Sequence, residues 1–107
     1  MGFSNGGEFD DVLNDAYVSA RVTIGNAYET LAKVGTNPLE GRETITITNV
    51  GNKTVYFGPS GFSSSNATDG EPLRRKQTVT ISAGYSVGIY LRCANNNSTD
   101  VIIQEWA

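Results

Sequence analysis

Few residues in this sequence are of the types that perform catalytic chemistry. It contains no histidine, so the commonest general base and transition-metal ligand is missing. Two pairs of carboxylates could share acid–base work, Asp10 with Asp11 and Glu40 with Glu43, but no nucleophile stands at a recognisable spacing from them. We expect these carboxylates to be solvated charges or members of interfacial ion pairs. The sequence therefore predicts a protein that is not an enzyme.

Metal and cofactor binding are not predicted either. The single cysteine, Cys93, can form neither an internal disulfide nor a cysteine-based zinc site, and its place in an apolar strand pattern predicts a buried thiol. Asp69 and Glu71 flank Gly70 and could contact a calcium ion. Two carboxylates fall short of a full oxygen shell, so we expect an ordinary turn there. No metal and no cofactor are predicted.

One basic cluster stands out, formed by Arg74, Arg75 and Lys76. If these residues lie in a strand, their side chains project to alternating faces, which makes a shared anion pocket awkward. Two interpretations remain open. The cluster is either a solvated edge strand protected by its charge, or a surface that pairs with acidic residues of a neighbouring subunit.

Charge and hydropathy also limit the classes of partner. The net charge of −3 argues against nucleic-acid binding through a basic face. No apolar run approaches the roughly 18 residues that span a membrane. The start, Met1 to Ser4, lacks the basic and apolar regions of a signal peptide. We therefore predict neither nucleic acid nor membrane as a partner.

The first fifteen residues differ from the rest of the chain. They contain four carboxylates, and no basic residue precedes Arg21. They also contain four large apolar side chains, too many for a segment that only stays solvated. We expect residues 1–15 to form an extended arm that docks on a partner, a frayed terminus being the alternative. The predicted partner-binding residues are Phe3, Phe9, Asp10, Asp11, Val12 and Leu13.

The remaining residues, 16–107, have the composition and the periodicity of β-structure. Thr, Ser, Asn and Gly together make up 42 of the 107 residues, which favours strands and turns over helices. Apolar and polar residues alternate in about seven runs spaced some 8–14 residues apart. This pattern predicts one antiparallel β-sandwich or jelly-roll-like domain.

The alternation also predicts particular contacts within this domain. The runs Thr44–Asn49 and Thr54–Phe57 are separated by a short turn, so we expect them to form a hairpin. Residues Gly58 to Pro72 are expected to form a long polar loop around Phe62. The side chains expected to be largely buried are Ile45, Ile47, Val79, Ile81, Val87, Ile89, Leu91 and Val101.

The order of strands and turns between Arg42 and Ala107 is distinctive. In sequence it consists of a Thr/Ile strand ending at Asn49, Val55-Tyr56-Phe57-Gly58, a Ser/Asn-rich loop, Gly70-Glu71-Pro72-Leu73, Thr78-Val79-Thr80-Ile81, Ile89-Tyr90-Leu91 and a last strand ending Glu105-Trp106-Ala107. This order resembles a small β-rich protein type found among the structural proteins of tailed bacteriophages. Residues 1–41 contribute nothing to the resemblance, and it supplies no functional residue.

The resemblance implies a virion component, either a capsid decoration (cement) protein or a tail or tail-fibre module that binds a host-surface carbohydrate. For a cement protein, the implied partner is the major capsid protein of the same virion. The implied location is the outer capsid surface, after synthesis in the host cytoplasm. We also expect a homo-oligomer, most simply a trimer, because closed symmetry is the rule for such assemblies.

Overall fold

The strands of the domain follow the alternating runs of the sequence closely. The computed structural model describes residues 17–107. The predicted arm, with all six residues assigned to partner binding, lies outside the described residues. The strands are β1 (Tyr17–Ile24), β2 (Thr30–Leu31), β3 (Thr44–Asn49), β4 (Val55–Gly58), β5 (Glu71–Leu73), β6 (Thr78–Ser82), β7 (Tyr90–Cys93) and β8 (Thr99–Trp106).

These eight strands form two four-stranded sheets. Sheet A has the order β1-β8-β3-β6 and sheet B the order β2-β7-β4-β5, and every pair in both is antiparallel. Of the described residues, only Ala67–Asp69 are helical, in a single 3-10 turn, and no helix there is long enough to span a membrane. The predicted all-β antiparallel sandwich is confirmed, with eight strands where about seven were expected.

The core lies between the two sheets and is built from the inward-facing member of each alternating pair. In β8, for example, Val101 and Ile103 are fully buried while their neighbours are partly exposed. Burying each such side chain contributes about 1.5–3 kcal/mol. The main apolar core comprises Ile24, Ala32, Ile45, Ile47, Val55, Leu73, Ala83, Ile89, Leu91, Cys93, Val101 and Ile103. The buried thiol predicted for Cys93 is confirmed, and burial raises the pKa of that thiol.

The predicted hairpin is wrong, because β3 and β4 lie in different sheets. β3 pairs with β8 and β6, whereas β4 pairs with β7 and β5. After β3 the chain continues beside β8, where the amides of Val50 and Gly51 both donate to the carbonyl of Asp100. It then crosses to sheet B. The short segment between the two runs therefore connects one sheet to the other. This crossing allows the apolar faces of β3 and β4 to pack against each other in the core.

The predicted burial is wrong for Val87 and only partly right for β6. Val87 is 51% exposed because it lies in the connection before β7, where its carbonyl accepts a hydrogen bond from Arg42. Val79 and Ile81 are half-buried and pack against the core from the edge of sheet A. An edge strand has neighbours on one side only, so its inward side chains remain partly open to solvent.

Candidate functional site

The largest polar feature inside the domain is an ion pair between Arg42 and Glu105. Both side chains are fully buried, and Arg42 Nη1 lies 2.9 Å from Glu105 Oε2. The guanidinium also donates to three carbonyl oxygens of the β6–β7 connection, namely Ala83 (3.0 Å), Gly84 (3.0 Å) and Val87 (2.7 Å). We call this pair and its partners the arginine cluster. Charged hydrogen bonds on every side offset the cost of taking these two charges out of water.

The carboxylate of Glu105 joins a second connection to the same cluster. Its Oε1 accepts the amide of Val34 at 2.8 Å, and its Oε2 accepts the amide of Leu39 at 3.1 Å. Both amides belong to the long segment between β2 and β3. The arginine cluster therefore fixes the β2–β3 and β6–β7 connections to the end of sheet A where Tyr17 pairs with Trp106.

The opposite end of sheet A is closed by the fully buried Asn49. Its amide nitrogen donates to the carbonyls of Lys53 (2.7 Å) and Leu73 (2.9 Å). Its oxygen accepts the amide of Gly51 (3.1 Å) and the hydroxyl of Thr99 (2.9 Å). All four hydrogen-bonding positions of the side chain are thus used. This asparagine cluster links β3, β5 and β8 at that end of the domain.

The Ser/Asn-rich loop after β4 is held by Glu29 and Arg92. Glu29 accepts the amides of Gly61 and Ser63, each at 2.9 Å, together with the Ser63 hydroxyl. Arg92 Nη1 donates to the Ser63 carbonyl at 3.1 Å, and Ser63 is almost fully buried. The ring of Phe62 lies so close to Gly70 that a Cβ there would meet it at 2.5 Å. The loop is accordingly a structured part of the domain.

The Glu29 contacts predict a pH-dependent stability. The pKa of this carboxyl is lowered from its ordinary value of 4.5, chiefly by the hydrogen bond from the Ser63 amide and next by that from Gly61. A carboxylate with a lowered folded-state pKa stabilises the fold above its unfolded-state pKa, and the effect disappears as the pH falls through the folded-state value. We expect Glu29→Gln to lower the thermal midpoint at about pH 7, and the difference from the parent to shrink towards about pH 3.

Thermal unfolding of the parent, Glu29→Gln and Glu40→Gln across that pH range checks this prediction. Glu40 is an exposed carboxylate, so its variant controls for the loss of one negative charge. A Glu29→Gln midpoint that stays below the parent by the same amount at every pH would contradict it, because the effect would then not depend on ionisation.

The carboxylates singled out in the sequence do not assemble into a site. Glu40 and Glu43 are both exposed, and so are Asp69 and Glu71. Among residues 17–107, no group of three or more histidine, cysteine or acidic residues is placed to hold a metal ion. Asp10 and Asp11 lie outside the described residues.

A surface hollow of about 380 Å³ lies at the asparagine-cluster end, between Asn52, Arg75 and Asp100. Asp100 is already held by β1, through the Thr23 hydroxyl at 2.7 Å and Arg21 at 3.1 Å. These two contacts lower the pKa of the Asp100 carboxyl. The acidic group of the hollow therefore serves the pairing of β1 with β8.

The basic cluster lies in a turn, so its interpretation as a charged edge strand is wrong. Arg74, Arg75 and Lys76 are all exposed in the connection from β5 in sheet B to β6 in sheet A. Lys76 adopts a φ of 67°, and its amide donates to the Asn49 carbonyl at 2.8 Å. The side chain of Gln77 closes the turn by accepting the Arg74 amide at 2.7 Å. We refer to these three cations as the basic turn.

The strand that follows the basic turn is an open edge. β6 pairs with β3, and none of residues 17–107 pairs with its other side. Its sequence, Thr-Val-Thr-Ile-Ser, contains no charge and no proline. The other long edge, β1, carries Arg21 at its centre, while β5 contains Pro72 and β2 has two residues. Charge, proline and shortness protect edges from pairing, so β6 is the unprotected edge.

A groove of about 340 Å³ runs beside this edge, between β5 and β6. Its walls include the apolar side chains of Phe57, Leu73 and Val79, and the exposed Glu71 lies at its rim. The open edge, the groove and the basic turn are contiguous, and together they form the most distinctive exposed surface of the described residues.

The buried polar residues were not predicted from the sequence, although the position of one of them, Glu105, indicates burial. Glu105 is in phase with Val101 and Ile103, so a strict alternation pattern places its charge inside the sandwich. Arg42, Glu29 and Asn49 lie at turns or strand ends, where a polar residue is the ordinary choice. Their partners are far away in the sequence. Arg42 and Glu105, for example, are 63 positions apart.

Comparisons with known proteins agree with this architecture. No protein-family model matches the sequence, and no curated protein matches it. The chain is similar to an RmlC-like cupin protein from Desulfovibrio desulfuricans, with a TM-score of 0.55 and 15% identity over 86% of this chain and 73% of that one. It is also similar to the cupin domain of an XRE family transcriptional regulator from Enterobacter cloacae, with a TM-score of 0.62 and 7% identity over 88% and 84% of the two chains. At such identities the likeness shows a cupin-like β-sandwich fold and nothing more.

Proposed function

We propose that this protein is a non-enzymatic structural component of a tailed-bacteriophage virion, and specifically a capsid decoration protein. It is made in the host cytoplasm and binds the major capsid protein on the outer surface of the particle, as a homotrimer. The resemblance of Arg42 to Ala107 to phage structural proteins supports this proposal, and that stretch includes strands β3 to β8.

The observation that carries the proposal is the separation of charge along the chain. The first sixteen residues contain four carboxylates and no basic residue, whereas residues 17–107 contain eight basic and seven acidic residues. The net charge of −3 therefore comes entirely from the amino-terminal segment. The domain that follows this segment in the sequence is closed at its two ends by the arginine and asparagine clusters. A rigid domain with a separate acidic, apolar segment suits attachment to a large particle.

Energetics indicate how such a segment binds. Burying one of Phe3, Phe9, Val12 or Leu13 contributes about 1.5–3 kcal/mol, whereas ordering each backbone residue costs about 1–2 kcal/mol. Four anchors over fifteen residues cannot hold the segment alone. Backbone pairing and contacts of Asp10 and Asp11 with basic groups have to supply the difference. Several copies acting together make weak single contacts sufficient.

Deletion of Gly2 to Leu13 tests the proposal. We expect the truncated protein to keep the thermal midpoint of the parent, because the described core lies wholly in residues 17–107. We expect its binding to emptied, undecorated capsids to be lost. Asp10→Asn/Asp11→Asn should weaken binding at least about tenfold, whereas Glu40→Gln/Glu43→Gln, with the same change of charge, should leave it unchanged. Co-sedimentation with capsids measures both. Full decoration by the truncated protein would overturn the assignment of the arm.

A tail-fibre module that binds a host-surface carbohydrate is the second candidate, and one feature favours it. Tyr17 and Trp106 lie side by side on the outer face of sheet A, with ring centroids 5.3 Å apart. The Gln104 amide donates to the Tyr17 hydroxyl at 2.9 Å, so polar groups adjoin the rings. Aromatic rings beside hydrogen-bonding groups can stack on sugars. This function predicts binding to host cells that persists after deletion of Gly2 to Leu13.

A further inference from the structure

The backbone of β6 presents unused hydrogen-bonding groups to the open side of the domain. The Asn49 amide donates to the Gln77 carbonyl and the Ala83 amide to the Glu43 carbonyl, each at 3.0 Å, so odd-numbered residues face β3. In an antiparallel ladder the bonding direction alternates from residue to residue. The amides and carbonyls of Thr78, Thr80 and Ser82 therefore point away from the sheet, where an added strand would pair with them.

The surroundings of this edge specify the chemistry of that strand. The groove beside β6 is lined by the apolar side chains of Phe57, Leu73 and Val79. The polar side chains of Glu71, Gln77 and Thr78 also line it, so it suits a strand in which apolar and polar side chains alternate. The basic turn places three exposed cations at the beginning of the strand. The edge therefore favours an extended segment that carries both apolar and acidic residues.

We propose that β6 of one copy is completed by residues 3–13 of a second copy, held by strand addition and by contacts between its carboxylates and the basic turn. This segment has the required composition, since Phe3, Phe9, Val12 and Leu13 accompany three carboxylates. Its eleven residues reach about 36 Å when extended, whereas the five residues of β6 span about 17 Å. The segment can pair along the whole edge and still connect to its own domain.

The topology favours a second copy over the same chain as the donor. β1, which follows the segment, lies at one edge of sheet A, and β6 lies at the other with β8 and β3 between them. Donor and acceptor are thus on opposite sides of each domain, which makes the contact heterologous. Heterologous contacts close into a ring when the rotation permits, and a three-membered ring is the trimer expected above. In the free protein this segment pairs with β6 of a neighbouring copy, whereas under the proposed function the same segment binds the capsid on the particle, so each copy of it makes one contact or the other.

Two variants separate the donor from the acceptor. Deletion of Gly2 to Leu13 removes the donor segment. Thr80→Pro blocks the acceptor, because it removes an outward-facing amide while the backbone bonds to β3 remain. It also removes the hydroxyl contact between Thr80 and Thr46 of β3, whose oxygens are 3.2 Å apart. In sedimentation of the free protein we expect a trimer for the parent and a monomer for each variant. An equimolar mixture should give a dimer, since only one donor and one acceptor remain in it.

Charge variants test whether the basic turn holds the donor segment. They also test the acceptor if Thr80→Pro fails to fold. Arg74→Glu/Arg75→Glu should weaken self-association at least about tenfold, and added salt should weaken the parent in the same direction. The matched comparison is Arg75→Glu against Lys33→Glu, which make the same change of net charge. Lys33 lies in the β2–β3 connection, next to Val34 of the arginine cluster at the other end of sheet A, so its variant should leave association unchanged.

Three results would overturn the inference. A truncated protein that still self-associates would indicate direct pairing of two β6 edges. A monomeric parent would indicate that the arm binds its own domain or none. Equal effects of Arg75→Glu and Lys33→Glu would indicate that net charge matters and the basic turn does not. Thr80→Pro keeps the segment, so it should still bind capsids under the proposed function although it no longer self-associates. A parent that forms trimers and ignores capsids would contradict the proposed function alone.

Discussion

Replacing Arg42 with leucine will lower the free energy of unfolding by about 3–5 kcal/mol, the usual cost of removing one partner from a buried ion pair. The loss is large because Glu105 is left as an uncompensated charge in the interior. The carbonyls of Ala83, Gly84 and Val87 lose their donors as well. Chemical denaturation monitored by far-ultraviolet dichroism measures the change.

Two further variants test whether the charge itself is responsible. Arg42→Leu/Glu105→Leu removes both charges, so it should recover part of the stability lost in the single variant. Arg21→Leu breaks the exposed pair with Asp100, in which the Arg21 side chain is 61% accessible, and should change stability little. If the double variant is less stable than Arg42→Leu, the cost arises from packing and orphaned carbonyls, and the ion-pair explanation is wrong.

Asn49→Leu is expected to have the second-largest effect, a loss of about 2–4 kcal/mol. Leucine has a similar shape but leaves the buried Leu73 carbonyl and Thr99 hydroxyl without their partner. Each buried orphan costs about 1–3 kcal/mol. Gly51 and Lys53 lie nearer to the surface, where water can replace the lost bonds.

The control for this prediction is Asn95→Leu, which makes the same exchange at an exposed turn and should stay within about 0.5 kcal/mol of the parent. Adding Thr99→Val to Asn49→Leu removes one orphan, so the second substitution should cost less in that background than in the parent. Additive effects in this double-mutant cycle would show that the two side chains do not act together.

The strands were predictable from the sequence because alternation reports which face of a sheet is buried. β1, β3 and β6 follow alternating runs, whereas β8 contains three consecutive apolar residues, Val101 to Ile103. The arrangement of strands into layers was not predictable in the same way. A short gap between two runs is compatible with a hairpin or with a crossing between sheets, and the choice depends on packing between layers that local pattern does not contain.

The candidate interaction surface was only partly predictable for a similar reason. Arg74, Arg75 and Lys76 are recognisable as a cluster, but placing them in a turn requires knowing that β5 and β6 belong to different sheets. Whether an uncharged strand such as Thr78–Ser82 is central or at an edge is decided by the order of strands. That order depends on long-range pairing.

The pairing of β1 with β8 has a mechanical consequence. All eight residues of β1 are in register with β8, and Tyr17, where the arm joins the domain, lies at the end opposite to the basic turn. If a subunit is pulled by its arm while its basic turn is held by a neighbour, the tension runs along β1. The hydrogen bonds of that ladder are then sheared together and not peeled apart one by one. A ring of such subunits would then resist being pulled apart as a chain of links, each loaded along its β1–β8 ladder.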